Sequence, residues 1–278
     1  MKYIQQIISC LFAAATTASA FPPAPYYTLY GIVRDQVGQT VAGQAAEIVL
    51  LKGGVEVGRT PLTSGRLDEN YELNIRIDAA RSGTTLYSTK AVAAQGDFSL
   101  VVSMNGVWFY PIECNGTLKA GKGGERTRLD LNLGEDANKD GLPDAWEEWQ
   151  LYLAGIYPDA NGNWDLSLLG GANGHFMNSR LTNLEAYIAG TFAGDASTFQ
   201  LSLKEKLPDS VRFEFYAITG KVYTIESSID MKTWTRVPIA VGSPGAGSQS
   251  YQATNVGIIT VFTAPRSATS EMFRLTVR

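Results

Sequence analysis

Between positions 136 and 147 the chain reads Asp-Ala-Asn-Lys-Asp-Gly-Leu-Pro-Asp-Ala-Trp-Glu. Oxygen-bearing side chains recur at Asp136, Asn138, Asp140, Asp144 and Glu147, places 1, 3, 5, 9 and 12 of a twelve-residue calcium loop. Carboxylates this close repel one another unless a cation lies among them. Hard oxygens at this spacing suit Ca²⁺, which takes roughly six to eight of them. The carbonyl of Leu142 at place 7 completes the expected ligand set, and Gly141 at place 6 permits the sharp bend. Glu147 would supply two oxygens from the start of a helix that Pro143 and Asp144 open. A run of Asp, Asn and Gly also makes an ordinary acidic turn, with Asp144 stabilising the helix N-terminus. Such a turn needs acids nearby, not an oxygen at every ligand place. The preceding segment, 129–133, reads as strand, so the entering helix of a paired sensor is missing. The loop is therefore expected to be a structural, extracellular one with an affinity of about 10⁻⁶ to 10⁻³ M.

Other residues offer less chemistry. His175 is the only histidine and lies in a Gly/Asn loop with no nucleophile elbow near it, which argues against a Ser-His-Asp arrangement. One histidine and one cysteine beyond the N-terminal segment cannot make a zinc cluster. Glu147 and Glu148 are neighbours on a helix and point about 100° apart, unlike a glycosidase pair facing across its substrate. Thr182-Asn-Leu-Glu185 reads as a capping box. Gly121-Lys122-Gly123-Gly124 lacks a phosphate-loop pattern and reads as a hairpin turn. Among the tryptophans, Trp146 and Trp149 are expected to pack a helix, and Trp108 and Trp234 to lie in strands with one face buried. Trp164, in the loop 159–164, is the candidate for an exposed sugar-stacking ring.

The elements that must position these residues are mostly strands. Short β segments are expected at 27–33, 46–51, 55–60, 71–77, 98–102, 107–112 and 126–133. Tyr71, Leu73, Ile75 and Ile77 alternate onto one face, and Lys52-Gly53-Gly54 is a hairpin signal. Helical periodicity appears only after the acidic loop. Trp146, Trp149, Leu153 and Ile156 recur at three- and four-residue steps up to Pro158, and a second short helix spans 183–189 with Leu184, Tyr187 and Ile188 inward. From 199 onward strands return. The expected fold is mainly β: two antiparallel, immunoglobulin-like β-sandwich domains at 21–134 and 199–278, joined by a calcium-loop and short-helix connector at 135–198.

Residues 1–20 read as an export signal. Lys2 gives the positive end, 7–15 the apolar stretch, and Ala18-Ser19-Ala20 the cleavage site. Ile7-Ile8-Ser9-Cys10 also formally resembles a lipobox, although the apolar run continues past Cys10. Loss of the first twenty residues would move the formal charge from −4 to −5, since Lys2 is their only charged side chain. With no basic cluster, nucleic acid is not an expected partner. No later run is long enough for a membrane span. The protein is expected to be secreted or at the cell surface. Cys114 would be the only cysteine of the mature chain, either buried as a small apolar residue or bridging to another chain.

The run 140–147, followed by Leu181-Thr-Asn-Leu-Glu-Ala-Tyr-Ile-Ala-Gly190, resembles the paired calcium repeats of the thrombospondin type 3 and dockerin-like kind found in secreted bacterial proteins. In that pattern the second block has its own acidic loop. Here the aligned places hold His175, Met177, Ser179 and Arg180, with Ala186 where the last carboxylate belongs, so the resemblance implies a second loop that binds no metal while its helix survives as packing. Leu29-Tyr-Gly-Ile-Val-Arg-Asp35 with Val41-Ala-Gly43 resembles the immunoglobulin-like modules that precede such repeats. The segment 223–234 with 273–277 is similar to the β-sandwich tails of the same proteins. None of these resemblances implies a catalytic residue. The expected function is a non-enzymatic structural or adhesion-type protein in which Ca²⁺ rigidifies the junction between two β modules. Binding of an extracellular polysaccharide, matrix or surface protein is the alternative, and a hydrolase the remaining one.

Overall fold

The computed structural model describes residues 24–278 except 42, 44, 65, 67, 79–87, 196, 198 and 265–269. The expected export signal at 1–20 lies outside the described residues. The chain is mainly β, with several antiparallel sheets and, among the described residues, two α-helices, and its buried apolar side chains gather into separate cores along the sequence.

In the first part, Tyr27–Gly31 alternates buried and half-exposed residues and pairs antiparallel with Tyr71–Ile75, placing Leu29 opposite Leu73. A second sheet centres on Ala46–Lys52 and Asp97–Met104, in register from Ala46–Met104 to Leu51–Ser99. Val55–Pro61 flanks it through the turn at Gly53 and Gly54, both at positive φ as a tight hairpin requires. Leu29, Leu73 and Ile75 from one sheet meet Ile48, Leu50, Leu100 and Val102 from the other in one core.

Two details differ from an all-antiparallel expectation. The segment expected as one strand at 126–133 divides into Arg126–Arg128 and Leu131–Asn132, which pair in parallel with Tyr27–Gly31 and Val33–Arg34. The alternating run 71–77 is interrupted at Arg76, and Ile77–Asp78 pairs in parallel with Val92–Ala93. In both cases the strand changes partner, something a period-two pattern does not specify.

The last part holds two four-stranded sheets. One runs Ser202–Lys206, Val211–Ala217, Gly257–Thr263, Ala240–Val241. The other has Val222–Ser228 as its hub, paired with Thr235–Val237, Tyr251–Gln252 and Met272–Val277. Phe213, Phe215, Ala217 and Val261 face Tyr223, Ile225 and Val237 in its core.

Between them lie helices α1 (Asp144–Leu153) and α2 (Asn183–Ala189) with their own core of Leu142, Trp146, Leu151, Leu169, Phe176, Ala186 and Tyr187. Both helices end in the same way. Gly155 and Gly190 adopt left-handed φ of 76° and 75°, and the next residue's amide returns to the helix: Ile156 N to Leu151 O and Thr191 N to Ala186 O. That ending stops α1 at Leu153, before Pro158. The Thr182–Glu185 capping box forms as expected. The inward face of α1 is Trp146, Glu147, Gln150 and Leu151, so Trp149 and Leu153, expected inside, are exposed. Trp108 is likewise exposed, and Trp234 precedes its strand with the Arg274 guanidinium 4.3 Å over its ring.

Candidate metal centre

Gly134 and Pro143 pack the two ends of the acidic loop together: a Cβ on Gly134 would stand 2.7 Å from the Pro143 ring. The Asp144 amide closes the loop by donating to Glu135 O at 2.8 Å. Within this ring Asp136 Oδ1 and Oδ2 accept from the amides of Asp140 and Gly141, both at 3.1 Å. Asp140 Oδ1 accepts from Leu142 N at 3.1 Å. Asp144 does not cap α1. Its carboxylate reaches back across the loop to the amide of Ala137 at 3.1 Å, and Pro143 occupies the cap position without a side-chain bond. Lys139 and Gly141 both take positive φ, 59° and 93°, where the chain bends back on itself.

Glu147, at the last ligand place, is 0 % exposed. Its Oε2 accepts from Asn138 Nδ2 at 3.3 Å, and the same amide donates to Asp140 Oδ2 at 2.9 Å. Its Oε1 is buried with no hydrogen-bond partner. Burial, then the neighbouring charge of Asp140, pushes the Glu147 carboxyl up to about 8. Burial and the charges of Asp136, Glu135 and Asp140 also raise Asp144. The side chains of Asp136, Asn138, Asp140, Asp144 and Glu147, expected from sequence to act together, are thus brought into one hydrogen-bonded loop with Leu142 buried behind it. Among the described residues, no group of three or more His, Cys, Asp or Glu side chains forms a preformed metal cage. Several carboxylate oxygens of the loop face backbone amides, and the Asn138 side-chain amide lies between Asp140 and Glu147.

This donor set fits a hard divalent cation. A carboxylate enclosed by protein, unpaired at one oxygen and adjacent to a second carboxylate, carries a desolvation cost that a cation offsets. Rotation of the Asn138 amide would present its oxygen where its nitrogen now points. Asp136, Asn138, Asp140, Asp144, Glu147 and the Leu142 carbonyl would then hold the ion.

The second block contains no comparable acids and is organised by Asn183, a residue the sequence pattern did not single out. Asn183 is fully buried. Its Oδ1 accepts from Phe176 N at 3.1 Å, and its Nδ2 donates to Leu169 O and Gly171 O, both at 2.8 Å. His175 Nδ1 lies 3.0 Å from the carbonyls of Ser179 and Leu181, stapling the same loop. Trp164 is half-buried against the helical core, which corrects its expected exposure. Trp149, Tyr152 and Tyr157 form an exposed group of rings on and just after α1. Trp149 and Tyr152 stack at 5.6 Å with planes 18° apart, and Tyr157 meets Tyr152 edge-on at 5.9 Å. Cys114 is buried, and burial followed by the charge of Glu113 pushes its thiol up to about 12. No described helix is long and apolar enough to cross a membrane.

Comparisons with known protein families, with curated proteins and with solved structures found no match to this chain.

Proposed function

We propose that the 136–147 loop binds one Ca²⁺ and that the ion stiffens the helical unit between two β-sandwich modules of an exported structural or adhesion-type protein. The buried carboxylate of Glu147 carries this reading, because an ordinary acidic turn has no reason to enclose an acid with one oxygen left without a hydrogen bond and a second carboxylate beside it. The resemblance to thrombospondin type 3 and dockerin-like loops, with immunoglobulin-like modules on either side, points the same way. The helical unit also touches the first module directly, since Tyr187 Oη donates to Asp35 O at 2.7 Å. Ordering the loop therefore orders the joint. Calorimetric titration of the full chain with CaCl₂ tests the reading. A saturable event near one ion per chain, lost in Glu147→Gln, is expected. Heat no different from dilution into buffer would refute it.

The exposed Trp149–Tyr152–Tyr157 cluster favours a second role, binding of an extracellular polysaccharide by stacking of sugar faces on the rings, with the site at the C-terminal end of α1 and just beyond it, not at Trp164. Retention on immobilised polysaccharide should fall in Trp149→Ala and persist in Trp164→Phe. Equal retention of both variants and wild type would count against it.

A further inference from the structure

The segment Leu169–Phe176 packs on the acidic loop from the side of Asp140. The Ala172 amide donates to Asp140 O at 3.3 Å, and the Gly171 Cα lies so near the Asp140 side chain that a Cβ there would stand 3.1 Å from Asp140 Cβ and 3.3 Å from Oδ2. This segment has little regular structure of its own and runs between short 3-10 turns at Leu166–Leu168 and Phe176–Asn178. Its shape is set by Asn183, whose three side-chain hydrogen bonds span it from Leu169 to Phe176, while Asn183 N donates to Gly174 O at 2.8 Å and Leu184 N to Ala172 O at 3.0 Å. A buried amide with both donor hydrogens and its oxygen engaged holds one arrangement and no other.

We infer that Asn183 is a positioning residue for the calcium loop, acting through Gly171 and Ala172 to fix the Asp140 carboxylate. The inference rests on the calcium reading of that loop. It also gives the second block a purpose: its loop is held shut by an amide and serves as the fixed wall against which the first loop presents Asp140.

Calcium titration of full-length variants tests it, with near-ultraviolet circular dichroism reporting the fold. Asn183→Asp keeps size and acceptor but loses the donors to Leu169 and Gly171. It is expected to weaken Ca²⁺ about 10- to 100-fold, as loss of a residue supporting a ligand typically does. Gly171→Ala, which leaves Asn183 intact but presses on Asp140 at a residue with φ of 69°, should weaken it similarly. Tyr187→Phe, which loosens α2 without touching the Asn183 bonds, should bind as wild type. If wild type itself binds no Ca²⁺, the calcium reading and this inference fall together. If wild type binds and folded Asn183→Asp binds equally well, only the inference falls. If Asn183→Asp does not fold, Gly171→Ala decides, and wild-type affinity there overturns the inference. Equal weakening by Tyr187→Phe would show general loosening of the helices and overturn it too.

Discussion

Glu147 concentrates the tension in the loop. Its carboxylate is enclosed, one oxygen has no partner, and Asp140 lies beside it, so in chelator it is a local cost to folding. Replacing it with a neutral amide of the same shape removes that cost along with the ligand. Glu147→Gln should therefore melt no lower than wild type in chelator, yet gain nothing when millimolar CaCl₂ is added. A variant that melts well below wild type in chelator would mean the carboxylate makes a stabilising contact of its own. That Asp136, Asn138, Asp140, Asp144 and Glu147 share one loop was legible in the sequence because their spacing is a local property of the chain. Asn183 was not, since its value lies in carbonyls at Leu169 and Gly171 that only tertiary folding brings to it. Trp149 was misplaced for a related reason: a three-to-four spacing finds a helix face, but which of two candidate faces is covered depends on what packs there.

Among the elements, the two short helices depend on their ends. α2 has only seven residues, too few for helical propensity alone to hold it. The Thr182–Glu185 box and the Gly190 turn supply what length does not. Thr182→Ala should cost about 1 kcal/mol and lower the unfolding midpoint in a denaturant titration. An unchanged midpoint would mean that tertiary packing of Tyr187 and Ala186 alone fixes the helix. Capping and hairpin signals, such as Thr182–Glu185 and Gly53-Gly54, were readable because each acts within a few residues. The parallel pairings of Arg126–Arg128 and Leu131–Asn132 with the first strands were not readable, because alternation records which face is buried and leaves the neighbour open.

For the whole molecule, the turn 35–39 of the first module is where the parts meet. Tyr187 of α2 donates to Asp35 O, and Lys221 of the last part donates from a position 1 % exposed to Gly38 O. Asp68 adds ion pairs to Arg236 at 2.7 Å and Arg278 at 3.3 Å. Burial, with the charge of Arg34 adding to it and that of Asp35 opposing, pulls the Lys221 ammonium down to about 7. The unfolded chain holds that proton up to roughly pH 10.4. Between those two values the unfolded state binds more protons than the folded one, so this residue makes stability rise with pH from about 7 to about 10. Below about 7 its full cost is present. Lys221→Met should flatten that rise in melting temperature, measured in chelator to separate it from the metal site. A rise of equal steepness in the variant would place its origin elsewhere. No sequence pattern marked Lys221 or the buried Arg34, since a lone cation in a strand-rich segment is normally solvated. The proposed function makes the stiffness of the helical unit depend on one loop, and thermal melting of the full chain in millimolar CaCl₂ against chelator is its most direct measurement. The structure leads us to expect a transition several degrees higher with calcium, saturating as the titration does. Superimposable melting curves across that range would contradict a calcium-stiffened joint.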